Sequence, residues 1–298
     1  MTAFYEDLIC YKQLQITHDG KLKFFLEKHS TKEGTWGKLQ INTGEIDFLF
    51  LDGNGQELSR HHLNEKNNHL VIPPASWHKI IPISAVFNAS LDFYCKPHRY
   101  FDKKYKLGNV HTDLYYVYTT YLQKKDKLKV LDIGCGSGRN PLFLALMGHE
   151  VTGIDHNEAA IKKMRQIVHE EEITTLTPIV HDLHTPLSLK REAYNLVIAT
   201  VSLQFLDAAR IPSLLKELQE ATVAQGIHFF VFPIRSEQFE LPTFFTYLAE
   251  HEELYHYYQN CGWSILEYKE VVGKLHKLDE SGKPIQGLFG ILLAQKCF

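Results

Sequence analysis

The sequence predicts two domains of different class: a small all-β domain over residues 1–98, and an α/β domain over residues 99–298 with a Rossmann-like, mostly parallel sheet. Three observations predict this. Residues 21–95 are short apolar runs broken by turn residues, the mark of closely spaced strands. From Leu128 onward, apolar runs alternate with helix-length segments, the mark of a parallel sheet covered on both faces. Where the first apolar run meets the first helical segment, Val130 to Asn140 read VLDIGCGSGRN, a glycine turn between strand and helix.

In the β-domain the runs include Lys38-Leu39-Gln40-Ile41, Asp47-Phe48-Leu49-Phe50-Leu51, His69-Leu70-Val71-Ile72 and Leu91-Asp92-Phe93-Tyr94. Turns fall at Asn42-Thr43-Gly44, Asp52-Gly53-Asn54-Gly55 and Pro73-Pro74. Trp36, Trp77 and Phe93 are expected in the core of a sandwich or barrel. In the α/β domain, strands are expected near 129–133, 150–155, 177–180, 194–200 and 227–232, and helices near 139–147, 158–170, 211–224 and 250–260. Two last apolar runs, Ser264 to Val272 and Leu288 to Gln295, flank Asp279-Glu280-Ser281-Gly282-Lys283-Pro284 and predict a terminal β-hairpin.

Composition narrows the function. A net charge of −3, from 32 basic and 35 acidic residues, argues against a nucleic-acid partner. Five cysteines without a CxxC pair suit a reducing compartment. No apolar run has the length of a membrane span, and the N-terminus MTAFYEDLIC carries acids where a leader would be basic. The expectation is a cytoplasmic protein with no membrane partner.

The glycine stretch carries the chemistry. Gly134, Gly136 and Gly138 let a ligand approach the backbone where side chains would block it. Asp155 ends the second strand about 20 residues later, where a carboxylate accepts from a ribose diol. A dinucleotide turn favours GxGxxG with a pyrophosphate on the helix N-terminus. Here the spacing is GxGxG, and Asp132 precedes it. That acid would repel a pyrophosphate and suits a cation, so S-adenosyl-L-methionine, with its ammonium and sulfonium, is the better fit. The competing reading is a strand-to-helix turn whose glycines only ease packing.

The chain resembles the tellurite-resistance methyltransferase family TehB in its long form. The resemblance runs through Tyr100-Phe101-Asp102-Lys103-Lys104-Tyr105, His111, LDIGCGSGRN, TVSLQFL at 200–206, and Gly273-Lys274-Leu275-His276-Lys277 followed by Asp279 and Gly282. The N-terminal part is similar to the cupin-like domain that precedes this methyltransferase, through His29 to Leu39 and Pro73-Pro74-Ala75-Ser76-Trp77-His78. The resemblance implies a class I methyltransferase sheet, S-adenosyl-L-methionine as methyl donor, and a small-molecule acceptor such as tellurite or selenite. It also implies that Asp182 lies near the adenine amino group; a turn or helix cap is the plainer role for it. Lys277 stands where the family carries arginine, keeping the charge without the bidentate fork.

Strand ends converge at the carboxyl edge of such a sheet. Donor-site candidates are therefore Asp132, Gly134, Cys135, Gly136, Gly138, Asn140, Asp155, His156, Asp182, Leu183, Thr200 and Val201, with Tyr100 and Lys104 as a lid. Thr200, Val201 and Phe205 are placed to border the methionyl part; Leu203 and Phe205 suit the core equally well. If the last two strands are antiparallel, residues 273–286 connect them on the methyl-transfer side. His276 is then assigned to acceptor binding or proton shuttling and Lys277 to charge stabilisation. Arg235, after the fifth strand, either pairs with an anionic acceptor or is a surface arginine. Read without the resemblance, His276 is a histidine on a solvated hairpin.

No metal site is expected. Aligned on Gly44, the cupin ligand positions fall on Thr31, Glu33 and Gly37, which leaves His78, with His29, His61 and His62 as imidazoles to supplement it. Binding a small molecule, assisting a homodimer and bracing the α/β domain all stay open for the β-domain. Two functional rivals also stay open: a methyltransferase for an organic thiol or other small metabolite, and a non-catalytic sensor of the donor.

Overall fold

A computed structural model describes residues 7–17, 22–278 and 282–298; the side chains of 22, 23 and 276–278 are outside the description. The chain divides into two compact units, Met1–Gly108 and Asn109–Phe298. The change in sequence character near residue 98 precedes that division.

The first unit contains β1 (Ile9–Thr17), α1 (Leu22–Leu26), β2 (His29–Ser30), β3 (Trp36–Thr43), β4 (Ile46–Leu51), β5 (Glu57–Leu63), β6 (His69–Ile72), β7 (Trp77–Pro82), β8 (Asn88–Cys95) and α2 (Tyr100–Tyr105). The strands form two antiparallel four-stranded sheets, ordered β1-β8-β3-β6 and β2-β7-β4-β5. Ile16, Leu39, Ile41 and Leu91 of one sheet share a buried cluster with Ile46, Phe48, Leu63 and Ile80 of the other, so each strand turns alternate residues inward. That alternation corrects one expectation. On β7 the inward positions are His78 and Ile80, so Trp77 faces out, 40% exposed, with Lys28 Nζ 4.6 Å from its ring centre. Phe93 packs partly buried against the core.

The second unit runs through α3 (Thr112–Val117), β9 (Lys129–Ile133), α4 (Arg139–Leu146), β10 (Glu150–Asp155), α5 (Glu158–Glu170), β11 (Leu176–Val180), β12 (Tyr194–Thr200), α6 (Ile211–Ala221), β13 (Thr222–Ile234), α7 (Glu253–Asn260), β14 (Trp263–Leu278) and β15 (Pro284–Lys296). Its seven strands are ordered β11-β10-β9-β12-β13-β15-β14. The first five are parallel, and β15 is antiparallel to both its neighbours. This is the expected α/β sheet with a terminal hairpin. The order reverses between β9 and β12, and ligands of such sheets bind beyond the strand ends at that point.

Of the boundaries that differ from expectation, two bear on the site. Helix α6 stops at Ala221 and passes directly into β13, because Thr222 and Val223 are β-branched and Thr222 Oγ1 donates back to Leu218 O at 2.7 Å, closing the last turn. Strands β14 and β15 run past the end of β13. Ile234 is the last residue of β13 and pairs with Leu288, whereas the hairpin continues to the Leu278–Pro284 pair. The hairpin thus overhangs the carboxyl edge of the sheet.

Candidate donor crevice

Beyond the carboxyl ends of β9, β10, β11 and β12 lies a cavity of about 410 Å³, lined by Gly134, Asp155, His156, Asp182, Leu183, His184, Val201, Ser202, Phe205 and Leu206. Gly134, the first residue of the glycine turn, is part of its lining. Gly134 and Cys135 both donate their N–H to Ile154 O, at 2.7 and 3.0 Å, and Gly136 N donates to Asp155 Oδ2 at 2.8 Å. Asp155 accepts a second backbone N–H, from Asn157, at 2.8 Å through Oδ1. One carboxylate thus ties the glycine turn to the start of α5, and each oxygen keeps a lone pair for a ligand hydroxyl.

Gly134 has φ +68°, and a Cβ there would lie 2.3 Å from the Ser202 Cβ. Ser202 Oγ in turn donates to Ile133 O at 3.0 Å, which fixes the serine against the turn. Next to it, Val201 holds φ +54°, an outlier for a β-branched residue. The Val201 N–H donates to Val231 O at 2.7 Å and its carbonyl accepts from Gln204 Nε2 at 2.8 Å, so both ends of the strained unit are held. Strain of this kind concentrates where a backbone is shaped for a ligand.

Asp132 is fully buried, and neither carboxylate oxygen has a hydrogen-bond partner. Burial pushes its carboxyl up to about 8, against the pull of Arg139. An orphaned buried acid beside a glycine turn is what a cationic ligand would satisfy. Together with the Asp155 oxygens, this makes the residues present a fit for S-adenosyl-L-methionine.

Other candidates take different places. Asn140 is buried with both ends of its amide engaged: Oδ1 accepts from His111 N at 3.1 Å and Nδ2 donates to Thr200 Oγ1 at 2.9 Å. Cys135 is buried, and burial pushes its thiol far up. Gly138, at φ +96°, is the N-cap of α4. His156 is exposed, 3.7 Å from Asp155. Asp182 is exposed and accepts from both the backbone and the ring of His184, at 3.0 and 2.9 Å, which holds its carboxyl below the usual range.

Arg235 is not brought to the crevice. It is not among the residues lining that crevice, and its Nε donates to Glu250 at 2.8 Å on the exposed surface. Tyr100 and Lys104 belong to the first unit, where Lys104 Nζ donates to the Tyr100 hydroxyl at 3.1 Å. The side chains of His276 and Lys277 lie outside the described residues, although their backbone is the overhanging end of β14. Ser202, His184 and Leu206 line the crevice without having been expected there. Ser202 sits within TVSLQFL, but nothing in that string says it abuts Gly134.

In the first unit, His78 is buried with its Nδ1 2.8 Å from Ser76 O, and burial, with His29 beside it, lowers its imidazole to about 4. The His29 and His78 rings meet edge to face at 4.2 Å. Among the described residues no three histidine, cysteine, aspartate or glutamate side chains gather as metal ligands.

The sequence profile of the family described as "Tellurite resistance protein TehB" matches residues 93–293, and that of the "TehB-like domain" matches residues 15–89. A relative from Haemophilus influenzae (strain 10810), named "Probable S-adenosyl-L-methionine-dependent methyltransferase TehB", is 36% identical over 97% of this chain and 99% of its own. The crystal structure of TehB from Haemophilus influenzae superposes with a TM-score of 0.90 at 35% identity, covering 98% of this chain and 99% of that one. A protein of Eikenella corrodens named "Hemagglutinin 1" is 30% identical over 83% of this chain and 79% of its own.

Proposed function

This chain belongs to the TehB family of S-adenosyl-L-methionine-dependent methyltransferases, and we propose on that premise that the acceptor of its methyl group is a chalcogen oxyanion, tellurite or selenite. Bound in the crevice, S-adenosyl-L-methionine supplies a methyl group already activated by a sulfonium, so the chain's task is to hold donor and acceptor in line and exclude water. Asp155 takes the ribose hydroxyls in this reading, Asp182 the adenine side, and Asp132 the ammonium. The chalcogen brings its own lone pair, and no general base is required.

One observation carries the anionic acceptor. The hairpin overhang and residues 238–243 enclose a second hollow of about 780 Å³ at the carboxyl edge, and Lys274 and Lys283 line it. Leu241 packs on Gly287 of β15, where a Cβ would lie 2.6 Å from its Cδ2, and this anchors the segment to the hairpin. Two ammonium groups supply the charge that an oxyanion needs, and in this reading His276 and Lys277 add to them. Glu240 also lines the hollow, so the net attraction is modest. Five free cysteines support a reducing, cytoplasmic setting.

The experiment follows release of S-adenosylhomocysteine by the full chain on adding selenite or tellurite. Oxyanion-dependent release, lowered in His276→Ala with donor affinity nearly intact, is expected. Donor binding without release on either oxyanion overturns the proposed acceptor.

A further inference from the structure

An aromatic wall that the oxyanion reading does not use begins at the crevice. Phe205 is its one member among the crevice's lining residues and is 47% exposed. The Phe244 ring lies parallel to it, 2° between planes and 6.3 Å between centres, and is 48% exposed. Phe245 stands edge-on to both, at 5.5 and 5.1 Å. The wall is held in place: Thr246 N donates to Gln204 O at 2.8 Å and Thr246 Oγ1 to Leu206 O at 2.9 Å, which ties the 244–246 segment to the turn carrying Phe205. Thr243, one residue before Phe244, lines the lysine-bearing hollow. The pair therefore stands where the two hollows approach each other.

No lysine or arginine is among the described residues lining the crevice. An aromatic face is the negative end of the ring quadrupole and repels an anion's charge. It favours a polarisable chalcogen and an alkyl group. Half-exposed phenylalanines beside a cofactor crevice mark a place for an apolar ligand part. We propose that the Phe205–Phe244 wall admits a second acceptor class, small alkyl thiols and selenols, and so gives this enzyme a further activity, making dialkyl chalcogenides.

This proposal rests on the methyltransferase assignment and not on the oxyanion. The acceptor enters as the neutral thiol or selenol. A lone pair of its chalcogen forms the new bond to the methyl carbon, and the proton passes to solvent. The bond from that carbon to the sulfonium breaks, its electron pair returning to sulfur as S-adenosylhomocysteine leaves. Nothing is oxidised or reduced. A reaction that reduces and alkylates selenium must supply such a substrate.

Methaneselenol and selenite are compared as acceptors of the full chain, with dimethyl selenide read in the headspace and S-adenosylhomocysteine by chromatography. Wild type is expected to convert methaneselenol to dimethyl selenide. Phe244→Ala should shift the ratio of kcat/KM for methaneselenol over that for selenite about tenfold toward selenite, through KM. Phe244→Leu should restore most of it, and titration with S-adenosylhomocysteine should stay within about twofold. Lack of methaneselenol turnover, an equal loss for both acceptors, or a fall in donor affinity in Phe244→Ala would overturn the proposal. Turnover of methaneselenol without selenite turnover would sink the oxyanion reading alone; the wall is then judged by the methaneselenol KM of Phe244→Ala, where no change overturns it.

Discussion

Ser202 stands in the space that any side chain at Gly134 would need, 2.3 Å from a Cβ placed there. The serine is held by its bond to Ile133 O, so neither side of the contact can yield cheaply. Gly134→Ala should cost about 1–2 kcal/mol for the left-handed backbone and about 1–3 kcal/mol more for the overlap. Adding Ser202→Gly should recover only the second part, read as thermal unfolding midpoints. At Gly136, with φ +55°, a Cβ would meet no atom within 4 Å. Gly136→Ala should therefore keep most of the fold while weakening donor binding at least tenfold.

Asp132 should make unliganded stability depend on pH. An unfolded aspartate titrates at about 4, and the buried one at about 8. Folding then takes up a proton between these values, so this group's contribution falls as pH rises from about 4 to about 8. Asp132→Asn should be the more stable protein at the upper end, with the gap closing toward the lower end. The same variant should bind donor at least tenfold more weakly. A gap that does not change with pH would show that Asp132 titrates normally.

Asp155→Ala removes the acceptor for two backbone N–H groups, of Gly136 and Asn157. Donor binding should weaken by roughly 1–3 kcal/mol, the usual cost of a lost buried polar partner. Calorimetric titration with S-adenosylhomocysteine checks it, and unchanged affinity would remove Asp155 from the ribose.

Asn140 joins the segment before the sheet to α4 and β12 through His111 and Thr200. Asn140→Ala should lower stability by about 1–3 kcal/mol, since it strands the buried Thr200 hydroxyl and the part-buried His111 N–H. Urea unfolding should show a lower midpoint with an unchanged slope, as for a loss of stability without a change in compactness.

Much of the second unit was legible because its signals are local. Strand β9, the glycine turn, α4 and Asp155 follow each other within one βαβ unit, and periodicity and glycine spacing describe them. The hairpin was legible from its turn residues. What stayed hidden depends on contacts distant in sequence. Ser202 faces Gly134 from the other side of the switch point, and Glu250 takes Arg235 from a later loop. Strand β7 was legible as a strand, but nothing local told which of Trp77 and His78 would face the core. Composition gave no sign that Phe205 and Phe244 would meet.

The overhang of β14 and β15 is attached at one margin of the sheet, with β13 between β15 and the strands around the glycine turn. Residues near its tip are free to diversify without a penalty at the nucleoside side, because lengthening or resequencing a turn costs little closure entropy. The architecture thus keeps changes in the overhang apart from the strands whose ends form the donor crevice.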